Sequence, residues 1–271
     1  MINIFMDMDN DADFLITEHN WMYNDGIPHG QMGGAKIRKW SGPDSEKNFN
    51  KNKPAGWTKD SITYEYNQHG YRSIDFVEND NFTVASYGCS YVVGVGIKQE
   101  DTWAQKLCNK IEHHDDIPVN NFNFGIGASS MDMICRTMYK SLPIIKPDLV
   151  TILFTTPYRF ELHDDDGYAR QLSSGGTRKK IFEIIGNYNS CQNNFDKNFI
   201  AIDALMHNLN IPWMFSIWGS KKPALESHIN FVEYFDKHYD GDDMARDLQH
   251  PGVLRNDRMA ENFFQKYKQR D

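Results

Sequence analysis

Ser90 is the first residue whose neighbours give it chemistry to do. It stands in Gly88-Cys89-Ser90-Tyr91, directly after the apolar run NFTVASY at 81–87 and ahead of Gly94 and Gly96. A hydroxyl at the mouth of a buried strand faces ligand, and a base beside it makes it nucleophilic. A turn or cap serine would look the same. A base is available in RDLQHPG, where Asp247 and His250 are three residues apart. Such spacing lets a carboxylate accept from one imidazole nitrogen while the other nitrogen faces a serine, which fixes the tautomer. With ten histidines and 37 acidic residues in the chain, the pair alone is not distinctive.

Two more segments belong with these. The small residues of NFGIGASS, 123–130, turn the chain tightly and present backbone N–H groups to a developing oxyanion, or simply pack a strand-to-helix turn. In TTPYRFE, 155–161, Thr156 offers a hydroxyl proton, and Arg159 can hold an anionic substrate group or pair with Glu161. Tyr91 and Arg159 are the candidate substrate contacts. No metal site is expected: His113-His114-Asp115-Asp116 and His163-Asp164-Asp165-Asp166 match neither HExxH nor a calcium loop and read as solvated turns. Asp240, Asp242 and Asp243 read the same way. Met131, Met133 and Met138 read as core filling. GCSYVVGVG lacks the lysine of a phosphate loop, so nucleotide binding is not expected.

These residues need a scaffold, and the chain spells one from about residue 80. The run 81–87 reads as a strand and EDTWAQKLCNKI as a helix. VNNFNF, 119–124, is a second strand, and MDMICRTMYKSL a second helix. DLVTILFT, 148–155, is a nearly continuous apolar strand, as expected where both sheet faces are covered. After a polar excursion at 161–180, residues 195–209 read as a helix and PWMFSIW as a fourth strand. Residues 223–239 suggest another helix, and RMAENFFQKYKQR a terminal one. Strand, glycine turn and helix in succession predict an α/β three-layer sandwich, flavodoxin-like, with a central parallel sheet of four or five strands. Ligands of such sheets bind beyond the carboxyl ends of the strands, where all three loops lie.

Residues 1–79 lack sustained periodicity. They predict a loop-rich N-terminal extension packed on the core domain of 80–271, because Trp21, Tyr23, Trp40 and Trp57 need something to cover them. SITYEYNQHGYRS, 61–73, reads as a short strand and turn.

The chain has 271 residues and a net charge of -8. That balance, with mixed signs, argues against nucleic acid as a partner. No apolar run is long enough for membrane insertion. The opening MINIFMDMDNDADF has four Asp and no basic residue, unlike a secretory signal, so a cytoplasmic location is expected; a viral-particle component would look alike. The cysteines, Cys89, Cys108, Cys135 and Cys191, form no CxxC pair and are expected to be reduced. Oligomeric state is not legible.

Together the motifs resemble the SGNH, or GDSL-like, hydrolase family. Gly88-Cys89-Ser90 with Gly94 and Gly96 stands where the family has GDS. Asn123, Gly125 and Ser130 match NxGxxGxS, with Ala128 in place of the usual glycine, and Asp247-Leu248-Gln249-His250 matches DxxH. Order and spacing agree from roughly 80 to 265. The resemblance implies a serine esterase without metal or organic cofactor. Ser90 would be the nucleophile, His250 the general base and Asp247 its orienting carboxylate. Ser90 and Ala128 would supply oxyanion N–H groups, with Gly127 in the role if the register slips by one. The third block departs from GxND: LFTTP has Phe154 at the glycine position and Thr156 at the asparagine position, leaving Thr156 or Arg159 to replace a donor worth roughly 3–4 kcal/mol. Cys89 replaces the usual aspartate and is expected to be structural. The favoured substrate is a small-molecule or glycan ester, an O-acetyl group on a carbohydrate first. The altered third block also leaves open a noncatalytic carbohydrate-binding or structural protein. Acyl transfer to an alcohol uses the same intermediate.

Overall fold

The computed structural model describes residues 27–163, 169–173, 179–218, 223–235 and 243–270. Before the main sheet come β1 (Lys36–Arg38), α1 (Glu46–Asn52) and β2 (Tyr64–Tyr66), with β1 antiparallel to β2. The strand read at 61–73 is thus β2.

The apolar run after residue 81 forms β3 (Phe82–Gly88), which leads into the short α2 (Ser90–Val93) and then α3 (Trp103–Asp115). There follow β4 (Val119–Gly125), α4 (Met131–Ile145) and β5 (Leu149–Phe154). A hairpin of β6 (Arg159–His163) and β7 (Ala169–Ser173) occupies part of the polar excursion. After it come α5 (Lys179–Ile185), α6 (Tyr188–Leu209), β8 (Trp213–Trp218), α7 (Pro223–Glu226), β9 (Phe231–Phe235) and α8 (Val253–Tyr267). Asp164, Asp165 and Asp166 of the polar excursion lie outside the described residues, as do Trp21, Tyr23, Asp240 and Asp242.

The main sheet has five parallel strands in the order β4-β3-β5-β8-β9. This is the flavodoxin-like order, in which the chain first steps to one side of its first strand and then to the other. The period of two along each strand sorts side chains between the faces. Ala85, Tyr87, Phe122, Phe124, Ile152 and Phe154 share one core with α4 and α6, through residues such as Met138, Phe195 and Ile202. Val84, Leu149, Leu153 and Met214 share the other with α3 and α8, through Trp103, Leu107, Met259 and Phe263. Met131, Met133 and Met138 are buried in the first core, in line with the core-filling reading. Among the described residues no helix is long and apolar enough to cross a membrane.

One element needs correcting. In the described part of the helix expected over 223–239, a four-residue helix, α7, is followed by a strand, β9; residues 236–239 lie outside the described residues. The segment FVEYF carries apolar residues at helical spacing, but its β-branched and aromatic content suits a strand. Its pairing with the free edge of β8 decides the outcome, through a register shift between Phe215 and Ile217.

Candidate active site

Gly88 ends β3 with φ +155, a conformation that side chains rarely adopt. A Cβ there would lie 2.5 Å from the Val92 side chain and 2.7 Å from the Leu153 carbonyl oxygen. The glycine therefore lets the chain swing against β5 and start α2 at once, with Ser90 as its first residue. Cys89 points into the core below, fully buried among Val84, Val92 and Leu153. All four cysteines are free thiols. Burial pushes the Cys108 thiol far up, which keeps it protonated.

Ser90 meets His250 from the other end of the chain, with Oγ 2.8 Å from Nε2. On the far side of the ring, Nδ1 is 2.5 Å from Asp247 Oδ2. An ionised carboxylate only accepts, so Nδ1 carries the proton and Nε2 is left to accept from the serine hydroxyl. Asp247 Oδ1 accepts two backbone N–H groups, from Gln249 at 3.0 Å and His250 at 3.1 Å, so the same carboxylate shapes the loop that carries the imidazole. All three residues are at least nine-tenths buried. Tyr91 stands edge-on to His250, with ring centroids 5.1 Å apart, and also packs against Trp218 at 4.8 Å.

The second block is fixed by its polar side chains. Asn123 donates to the Val92 carbonyl at 2.7 Å and accepts from the Gly125 N–H at 2.8 Å, which holds the β4 end against α2. Ser129 donates to the carbonyls of Gly88 and Ile126, and Ser130 caps α4. Two of the candidate donors then separate. The Gly127 N–H already donates to Gln31 Oε1 at 3.1 Å, so this donor is occupied. The N–H groups of Ser90 and Ala128 donate to no described protein group. Ala128 sits at φ +60. This left-handed backbone costs an alanine roughly 1–2 kcal/mol that glycine escapes, partly offset by glycine's greater unfolded freedom. Ala128→Gly is accordingly expected to stabilise the fold by about 0.5–1 kcal/mol while keeping the N–H, a change that urea unfolding would measure.

In the third block the two candidates go different ways. The Thr156 hydroxyl accepts from the Tyr158 N–H at 3.4 Å within its own loop, and Thr156 does not line the cavity beside Ser90. Arg159 does line it. Its Nη1 donates to Thr155 Oγ1 at 2.9 Å and to the Ser129 carbonyl at 3.3 Å, and its guanidinium lies 4.9 Å from the centre of the Trp218 ring. Glu161 pairs instead with Arg136. The cavity measures about 350 Å³ and brings together Ser90, Tyr91, Ala128, Arg159, Trp218 and His250.

Sequence reasoning missed a second layer of charge under this site. Arg246, next to Asp247, places all five of its N–H donors. Nε and Nη2 grip Asp44 at 2.9 and 2.7 Å, and the rest reach the carbonyls of Lys39, Thr58 and Lys59. The Tyr64 hydroxyl donates to Asp44 at 2.5 Å and accepts the Gly96 N–H at 2.8 Å. Burial, and then the Asp44 carboxylate, hold the Tyr64 phenol well above its usual range, so it stays a donor. Arg72 binds the carbonyls of Val93, Gly94 and Ile97, just after the Ser90 helix. Residues from 39–72 thus hold both the loop after Ser90 and the loop that carries Asp247. No motif announces these contacts. The only sequence signals are Arg246 beside Asp247 and an aspartate in the turn GPDS.

No known protein family matches this sequence, and no curated protein does. Solved structures do. They include a protein assigned as lipolytic, of the G-D-S-L family, from Desulfitobacterium hafniense DCB-2, at 15% identity and TM-score 0.45, covering 69% of this chain and 99% of that one. The psychrotrophic esterase EstA from a Pseudoalteromonas species is similar at 16% identity and TM-score 0.46, covering 70% and 98%. A family 3 carbohydrate esterase of Clostridium thermocellum is similar at 11% identity and TM-score 0.40, covering 68% and 94%.

Proposed function

We propose that the protein is a serine hydrolase that cleaves a carboxylic ester through an acyl-serine. The observation that carries this reading is the hydrogen-bonded series Asp247, His250 and Ser90, at 2.5 and 2.8 Å, opening on a cavity beside two unengaged backbone N–H groups. His250 Nε2 takes the Ser90 proton as Oγ attacks the ester carbonyl. The oxygen that becomes negative is met by the N–H groups of Ser90 and Ala128. Collapse expels the alcohol, which receives the proton from His250. Water then repeats the sequence on the acyl group and restores Ser90.

A fluorophosphonate tests this directly, because it phosphonylates activated serines and leaves ordinary serine hydroxyls unlabelled. Intact-protein mass should show one adduct, mapped to Ser90 and absent from the Ser90→Ala and His250→Ala proteins. A folded wild type that takes no label supports the noncatalytic reading instead. The observation that favours that alternative is that Thr156, at the position where an oxyanion donor is expected, does not line the cavity beside Ser90.

For the substrate, an O-acetyl group on a carbohydrate suits the site best. The cavity is at the small end of ligand pockets, and Tyr91 and Trp218 contribute aromatic side chains to its lining, as a site for a sugar ester would. An acetyl ester should exceed a decanoyl ester of the same alcohol by at least about tenfold in kcat/KM, since a cavity of about 350 Å³ that also holds the alcohol leaves little space for a long acyl chain. Equal rates would remove the acetyl preference. Product analysis with added sugar alcohols separates hydrolysis from acyl transfer.

A further inference from the structure

We propose that Arg159 is the anchor for a carboxylate on the substrate, so that the site selects esters of acidic molecules; this rests on the serine-hydrolase reading above. The cavity wall contains one fixed charge among its described residues, the Arg159 guanidinium, and no carboxylate. Asp247 lies behind His250 and spends its oxygens on that ring and on two backbone N–H groups. Glu161, two residues from Arg159, is held by Arg136. No described carboxylate pairs with Arg159.

The guanidinium is also held in place. One edge is pinned through Nη1 to Thr155 and Ser129, and the plane rests near the Trp218 ring. Nε and Nη2 make no hydrogen bond to a described protein group. A guanidinium with a fixed position and spare parallel donors matches the two oxygens of a carboxylate, a geometry that lysine cannot reproduce. A neutral ester gains little from such a group. An acidic one, approaching a protein of net charge -8, gains from a local cation that offsets the repulsion.

Direct binding tests this apart from turnover. Two matched pairs, 4-acetoxybenzoate with its methyl ester and an O-acetylated glucuronate with the corresponding glucose, are titrated into the Ser90→Ala protein by calorimetry. Arg159 is followed through its Nε–Hε NMR signal. In at least one pair the acid should bind tenfold or more tightly than its neutral partner and shift that signal. Arg159→Met should erase the difference and spare the neutral ligand. Arg159→Lys keeps the charge and the fold and should retain only part of the preference. Equal binding of acid and neutral partner, a preference that survives Arg159→Met, or no acid binding at millimolar concentration overturns the proposal. Fluorophosphonate labelling of wild type reports separately on the hydrolase. Labelling of Ser90 without a carboxylate preference removes the anchor and keeps the enzyme. A preference without labelling keeps the anchor and removes the enzyme.

Discussion

Replacing Ser90 with alanine is expected to lower kcat on a short-chain ester by about 10⁶-fold, and His250→Ala by a similar factor. The two side chains act as one unit. Without the hydroxyl there is nothing to attack the carbonyl, and without the imidazole the hydroxyl keeps its proton. The double variant should therefore be no slower than either single one. Asp247→Asn should cost less, about 10⁴-fold, by turning the acceptor at His250 Nδ1 into a donor and favouring the wrong tautomer. What survives in each case reflects substrate binding and the Ser90 and Ala128 N–H groups, which none of these changes removes. Steady-state rates on a chromogenic acetyl ester, with circular dichroism to confirm folding, measure all four proteins. A Ser90→Ala protein within tenfold of wild type would sink the acyl-serine mechanism.

How far the site could be read beforehand depended on the range of each interaction. Gly88, Ser90, Asp247 and His250 are legible because the roles proposed for them go with local spacing: a glycine where the strand turns sharply, a serine two residues on, and a carboxylate three residues from an imidazole. The strands β3, β4 and β5 were visible because burial on both faces gives short apolar runs between turns. β9 was not, because FVEYF fits either periodicity and only its pairing with β8 chooses. The separation of Gly127 from Ala128 needed Gln31, 96 residues away, whose side chain takes the Gly127 N–H. Thr156 and Arg159 were equal candidates on spacing alone. The turn after β5 folds one hydroxyl back onto its own backbone and leaves the guanidinium in the cavity wall.

An ion pair of long range has the second-largest expected effect. Asp44 and Arg246 are 202 residues apart, and both side chains are shut from solvent, at 1% and 0% exposure. Removing one member of such a pair strands the other charge in a medium that solvates it poorly, at a cost of about 3–5 kcal/mol. That is a large fraction of the 5–15 kcal/mol by which a typical domain is stable. Asp44→Ala and Arg246→Met should each lower the urea midpoint accordingly. The Asp44→Leu/Arg246→Met double variant should recover part of the loss, because it leaves neither charge unpaired. Chemistry should suffer separately from stability. Arg246 is bonded to Asp247 through the chain and donates its own N–H to the Gly96 carbonyl, so it sets where the Asp247 loop sits against the loop after Ser90. A displacement of about 1 Å at a catalytic group costs on the order of 100-fold. Fluorophosphonate labelling per folded molecule should thus fall by tenfold or more in the Asp44→Ala protein, measured below its unfolding midpoint, and Arg246→Lys, which keeps a charge for Asp44, should retain part of the rate that Arg246→Met loses. Labelling that stays at the wild-type rate in a destabilised Asp44→Ala protein would reduce the pair to a fastening of the fold, with no hold on the position of His250.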